Sequence, residues 1–161
     1  MQTLNVDSTR SNIEHQAVEE QRRTELLKDA YREANFFFLA AAMAACGTGV
    51  ALVQLGFFVR VGAIDLLTYY VNGNSNRFLI LGTAVTWVIV LFVLGFIART
   101  GYRTAFFVGI VLYGLDMLLL IATFSIGSFG VHAFFVYRWY LGQKALREAK
   151  EISTQSSAIN I

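Results

Sequence analysis

The sequence predicts an all-α membrane protein: a four-transmembrane-helix bundle with an N-terminal charged cytoplasmic helix and a short interfacial helix between spans 1 and 2. Three observations predict it. Four apolar segments follow one another along residues 36–146, each near the roughly 20 residues a helix needs to cross the hydrocarbon core of a bilayer. Charged residues make up only 15% of the 161, against 56% hydrophobic, and the mean hydropathy is +0.54; soluble domains usually carry about 25% charged residues. Proline is absent, so no residue type that breaks a helix from within is available.

The first 35 residues are polar and carry both charge signs. They lack the basic start and short apolar core of a cleavable signal, so they read as part of the mature chain. Ser11-Asn12-Ile13-Glu14 fits the capping box, in which the two side chains satisfy free backbone donors at a helix start. This predicts a helix from about residue 12, with disorder before Ser8. Opposite charges at helical spacing support it: Glu19 with Arg22 and Arg23, and Asp29 with Arg32. Leu26, Leu27, Ala30, Tyr31 and Ala34 form one stripe. The segment is either a solvated extension of the first span or a helix that docks on a partner or a membrane surface.

The first span, residues 36–59, is crowded with small residues: Ala40, Ala44 and Thr48 at one spacing, Ala41, Ala45 and Gly49 at another. Small faces let helix backbones approach closely where lipid supplies no hydrophobic drive, so its expected role is packing. In residues 60–77, the run Ile64 to Tyr70 is too short to cross. Tyr69 and Tyr70 suit a headgroup level, and Asn72-Gly73-Asn74-Ser75-Asn76 is a turn cluster. A short interfacial helix and a turn are expected there. The remaining spans fall at 78–98, 104–124 and 127–146, and residues 148–161 read as a cytoplasmic tail. Basic residues gather before the first span, in the loop at Arg99 and Arg103, and beyond the last span; only Arg60 and Arg77 lie opposite. An even number of crossings therefore puts both termini in the cytoplasm.

Several function classes are disfavoured. The net charge of +2, with no basic patch interleaved with aromatics, does not suit nucleic acid. Cys46 is the only cysteine, so there is neither a disulfide framework nor a CxxC redox pair. No HExxH or carboxylate cluster offers a metal site. A haem held by two histidines would require His132 to pair with its copy in a homodimer, because His15 lies outside the spans. No cofactor is expected. Transporters with midplane sites rely on broken helices in repeated halves, and neither feature is present. Trp87, in mid-span, is expected to fill a gap in the bundle, and Gln54 to hydrogen-bond between helices.

Polar residues inside the last two spans are the candidate site: Asp116, Arg138, His132, Tyr113 and Tyr137. Ionisable groups at that depth are expensive unless they meet partners. Asp116 lies on the stripe of Ala105, Gly109, Leu112, Tyr113, Leu119, Leu120 and Thr123. With the connecting turn centred on Gly127, Asp116 and Arg138 are equally far from it, about 16 Å along each helix, while His132, five residues past it, sits off that level and nearer the turn. His132 and Arg138 also point about 120° apart. This predicts an Asp116–Arg138 ion pair. The alternative is that Arg138 snorkels to the headgroups and Asp116 stays protonated, bonded to Tyr113, Tyr137 or a backbone carbonyl.

The run Gly109-Ile110-Val111-Leu112-Tyr113-Gly114-Leu115-Asp116, followed by Gly130, His132-Ala133-Phe134 and Tyr137-Arg138, resembles a group of small bacterial four-helix membrane proteins. Their shared pattern is a Leu-Tyr-x-Leu-Asp run before a His-x-Phe and a Tyr-Arg-Gly; here Trp139 takes the place of that Gly. The resemblance implies the four-helix fold and a bacterial inner-membrane location, not an activity. The functional expectation is a non-enzymatic integral membrane protein, self-assembling or an accessory subunit of a membrane complex, with the lipid bilayer and other membrane subunits as partners. The competing class is a small channel or proton-coupled transporter using Asp116, His132 and Arg138. A membrane enzyme acting on lipid or quinone is third.

Overall fold

Two long helices and two shorter ones build the molecule, and the difference in length organises it. The computed structural model describes residues 3–52, 77–122 and 126–159. They form α1 (Thr3–Leu52), α2 (Arg77–Arg99), α3 (Arg103–Ala122) and α4 (Ile126–Ile159), with no strand among the described residues. At about 1.5 Å per residue, the 23 residues of α2 and 20 of α3 reach about 30–35 Å, while the 50 of α1 and 34 of α4 reach about 75 and 51 Å.

The longest continuous seam lies between α1 and α4. Along α1 the least exposed positions step by four and three: Glu19, Arg23, Leu26, Ala30, Glu33, Phe37, Ala40 and Ala44. Along α4 the same stepping runs through Ser128, His132, Phe135, Trp139, Gly142, Leu146, Ala149, Ser153 and Ser156. A 3.5-residue repeat keeps one face toward a partner over many turns, as in a coiled coil. Glu33 meets Arg138 while Phe36 meets Phe134, so the two helices run antiparallel. A second face of α1 seats α2: Phe38 packs edge-on against Phe92 and Phe96, at 5.2 and 5.3 Å between centroids. α3 closes the bundle against α4.

The α2–α3 connection is tight because its backbone groups are satisfied within it. Gly101, at φ +86°, takes the left-handed conformation that side chains disfavour. Its N–H donates to the Ala98 carbonyl at 3.1 Å, and the Tyr102 N–H to the Ile97 carbonyl at 3.4 Å. These two bonds make a Schellman cap. The bundle therefore ends at Arg99 and Arg103, level with Tyr31 and Asn35 of α1. Beyond that level, among the described residues, only α1 and α4 continue, as a two-helix stalk.

Several expectations change here. The capping box at Ser11 marks no helix start, since α1 begins at Thr3 and includes the residues expected to be disordered. No Gly or Pro separates the charged segment from the first apolar one, so the predicted boundary at 35/36 is invisible in the backbone. The tail set off at 148 continues α4 to Ile159, carried by the seam through Ala149, Ser153 and Ser156. Gln54, the Ile64–Tyr70 interfacial helix and the Asn72–Asn76 turn lie outside the described residues.

Among the described residues, one helical stretch, Gly82–Arg99, is long and apolar enough to cross a membrane, and 28% of it is buried within the protein. The predicted spans 36–59 and 104–124 run partly outside the described residues. Large apolar side chains cover much of the outer surface: Ile89, Phe92 and Phe96 on α2, and Phe107, Leu115 and Leu118 on α3 are all exposed.

Candidate functional site

The interior is built around Trp139, which is completely buried and stacks on Phe37 at 4.1 Å with an 11° interplanar angle. Two glycines make the room. A methyl group on Gly109 would lie 2.6 Å from the Phe37 ring, and one on Gly142 would lie 2.5 Å from the Phe106 ring. Tyr113 meets Trp139 edge-on at 4.7 Å and lies 6.3 Å from Trp87, nearly parallel to it. Trp87 thus packs against the interior, as expected of it.

Above this aromatic layer lies the first polar pair, and it is not the predicted one. His132 Nε2 is 2.8 Å from Asp116 Oδ2, and both side chains are about 3% exposed. The expectation of an Asp116–Arg138 pair fails because the turn does not centre on Gly127. Asp116 stands six residues before the last residue of α3, and His132 six residues after the first residue of α4. These two are therefore level. Arg138 lies six residues further along, about 9 Å deeper. The predicted angular separation of His132 from Arg138 does hold, since His132 faces α3 and Arg138 faces α1.

Hydrogen-bond geometry sets the proton inventory of this pair. His132 Nδ1 lies 2.8 Å from the Ser128 carbonyl oxygen, which can only accept, so Nδ1 carries a hydrogen. The Nε2–Oδ2 contact then holds one proton, either as imidazolium and carboxylate or as imidazole and carboxylic acid. The pair is neutral overall in both forms, which is the state a low-dielectric interior tolerates. Asp116 Oδ1 and the Trp139 indole N–H are buried without a hydrogen-bond partner among the described residues. Tyr113 tilts over the His132 ring at 4.8 Å. Both imidazole nitrogens are engaged, so His132 presents no free lone pair to an iron shared with a second copy.

The second polar pair joins helices distant in sequence. Arg138 pairs with Glu33: Nη2 donates to Oε1 at 2.8 Å, and Nε lies 2.7 Å from Oε2 as an ion contact without the geometry of a hydrogen bond. The Glu33 side chain is 4% exposed and that of Arg138 25%. The guanidinium also lies 4.3 Å over the Phe36 ring, and Arg32 Nε approaches Glu33 Oε1 at 3.6 Å. Arg138 thus has an acid for a partner while a quarter of its side chain stays exposed. Glu33 is the residue that sequence reasoning missed. Its signal was present: it sits three residues after Ala30 and four before Phe37, on the seam that includes Ala40 and Ala44.

Tyr137 is exposed and joins neither pair. Five residues from His132, it is turned about 140° away on the same helix. The structure thus brings Asp116, His132 and Tyr113 together and leaves Arg138 and Tyr137 elsewhere. No group of three metal-ligating residues occurs among the described residues. The chain matches no protein family, no curated protein and no solved structure with which it was compared.

Proposed function

We propose that this is a non-enzymatic, four-span protein of the bacterial inner membrane, with both termini cytoplasmic. It serves as a scaffolding or accessory subunit of a membrane complex or of a homo-oligomer. The observation that carries the reading is the distribution of exposed apolar side chains. Val85, Ile89, Phe92, Phe96, Phe107, Leu115, Leu118 and Ile121 face outward from α2 and α3, an arrangement that would associate or precipitate in water but matches lipid. Polar groups behave accordingly: Asp116, His132, Glu33 and Arg138 are paired with one another across the helices, His132 with Asp116 and Arg138 with Glu33. The resemblance of residues 109–138 to small bacterial four-helix proteins is the ground for the inner-membrane location.

The scaffolding part rests on the stalk. α1 and α4 carry the charged seam end well past Arg99 and Arg103, and pairs such as Arg23–Glu20 at 3.2 Å and Arg147–Glu151 at 2.8 Å brace its surface. A rigid rod on a membrane anchor is suited to holding a cytoplasmic partner at a fixed height. Alkaline carbonate extraction of native membranes tests the anchor: the protein is expected to stay in the pellet, and release into the supernatant sinks the reading. Crosslinking from cysteines placed at Leu27 and Glu151 tests the scaffold, and a chain that yields only uncrosslinked monomer argues against it.

One observation favours a second reading, a small channel or proton-coupled transporter. The Asp116–His132 contact holds one proton, and Asp116 Oδ1 is buried without a hydrogen-bond partner among the described residues. Flux into liposomes under a proton gradient decides: wild-type flux in Asp116→Asn removes the pair from any transport mechanism.

A further inference from the structure

Arg99 is the one half-buried cation among the described residues that has no carboxylate within ion-pair distance. Its partners are neutral. Nε donates to Asn35 Oδ1 at 3.2 Å and Nη2 donates to the same oxygen, while the guanidinium carbon lies 4.8 Å from the Tyr31 ring centroid and 4.6 Å from that of Phe38. The Nη1 group has no protein acceptor among the described residues.

The two acids of α1 nearest in height, and two on α4, are already engaged. Asp29 is held by Arg32 at 3.1 Å, Glu33 by Arg138, and Glu148 and Glu151 by Lys144 and Arg147. Four residues after Arg99, Arg103 opens α3, exposed and likewise without a carboxylate partner. Between them the capped turn fixes the backbone, and Tyr102 stands exposed at the rim. Residues 77–122 contain a single acid, Asp116, which is committed to His132 inside the bundle. The turn thus carries two positive charges, one of them rigidly held, that nothing in the described protein neutralises.

On the membrane reading proposed above, on which this inference rests, the turn lies at the headgroup level, where the available anion is a lipid phosphate. We propose that the α2–α3 turn is a binding site for an anionic phospholipid of the cytoplasmic leaflet, its phosphate bridging the free Nη1 face of Arg99 and the side chain of Arg103. Asn35, Tyr31 and Phe38 hold the Arg99 fork in place, so binding does not have to order it. Tyr102 packs beside the glycerol region, where amphipathic rings settle.

Each basic residue at an anionic surface contributes roughly fivefold in binding. Native mass spectrometry of the full chain in detergent, with phosphatidylglycerol or phosphatidylcholine added, reads this as a preference of about tenfold or more for phosphatidylglycerol. Arg103→Glu reverses a charge on an exposed side chain and is expected to remove most of that preference, whereas Arg147→Glu on the stalk leaves it intact. Equal retention of the two lipids, or a wild-type preference in Arg103→Glu, overturns the site. Inorganic phosphate that displaces the lipid at equal concentration overturns its assignment to a lipid. Flotation separates this from failure of the membrane reading. A protein that floats with both kinds of vesicle without preference loses only the site, and one that floats with neither loses the membrane reading as well.

Discussion

The two buried polar pairs solve the same problem in different ways. Asp116 and His132 are sealed on every side and lie 16 residues apart on neighbouring helices. Glu33 and Arg138 are 105 residues apart, and the arginine keeps a quarter of its side chain exposed. The sealed pair is neutral as a unit because one proton is shared within it. The edge pair is matched by charge, with one N–H···O bond, a second close ion contact and a ring beneath the guanidinium. Depth decides which device is used: where no water reaches, sharing a proton avoids burying net charge, and at the rim a fork-shaped cation can keep contact with solvent or headgroups.

Breaking the edge pair has the largest expected effect. Glu33→Ala leaves Arg138 half-buried without an anion, and losing one partner of a buried pair typically costs about 3–5 kcal/mol. The measurement is thermal unfolding in detergent, with Glu33→Gln/Arg138→Gln recovering part of the loss. A loss under 1 kcal/mol would mean that the pair is already solvated. Next comes the aromatic layer between the pairs. Gly109→Ala pushes a methyl group into the Phe37 ring, and overpacking of this kind costs about 1–3 kcal/mol. Gly82→Ala, where nothing lies within 4 Å, is the control and should be neutral.

Asp116→Asn is expected to be milder than Glu33→Ala, about 1–2 kcal/mol, because the amide still donates to His132 Nε2 and no charge is stranded. A loss as large as that of Glu33→Ala would show the pair to be ionic and not merely hydrogen-bonded. Double-mutant cycles sharpen the contrast further. Asp116 with His132 should couple by about 0.5–3 kcal/mol, while Asp116 with Arg138 should be additive within about 0.5 kcal/mol. The smallest effect belongs to the stalk surface. Removing the exposed Arg23–Glu20 pair should change stability by less than about 0.5 kcal/mol.

How much of this was legible depended on whether a feature was local. The helices, the Tyr113 and Asp116 stripe and the inward packing of Trp87 follow from periodicity, which the sequence carries directly. The choice of partner for Asp116 did not, because it depends on where α3 stops and α4 starts, and shifting the centre of the turn by three residues moves the level partner by six residues, about 9 Å. Trp139 is completely buried. The room for it is supplied by Gly109 on a different helix, which nothing local to Trp139 announces.

By itself, then, the sequence determined that the described segments are helical, that α2 and α3 are apolar on their outer faces as well as within, and that polar groups in the last hairpin need partners. Helical period and transfer energy are properties of short stretches, and they do not depend on what the chain later meets. Only the tertiary structure decided who those partners are. Glu33 finds Arg138 across 105 residues because α1 and α4 share a seam running from stalk to bundle, and His132 takes Asp116 because the hairpin sets them level. Both outcomes are matters of register between helices, and register is fixed by packing.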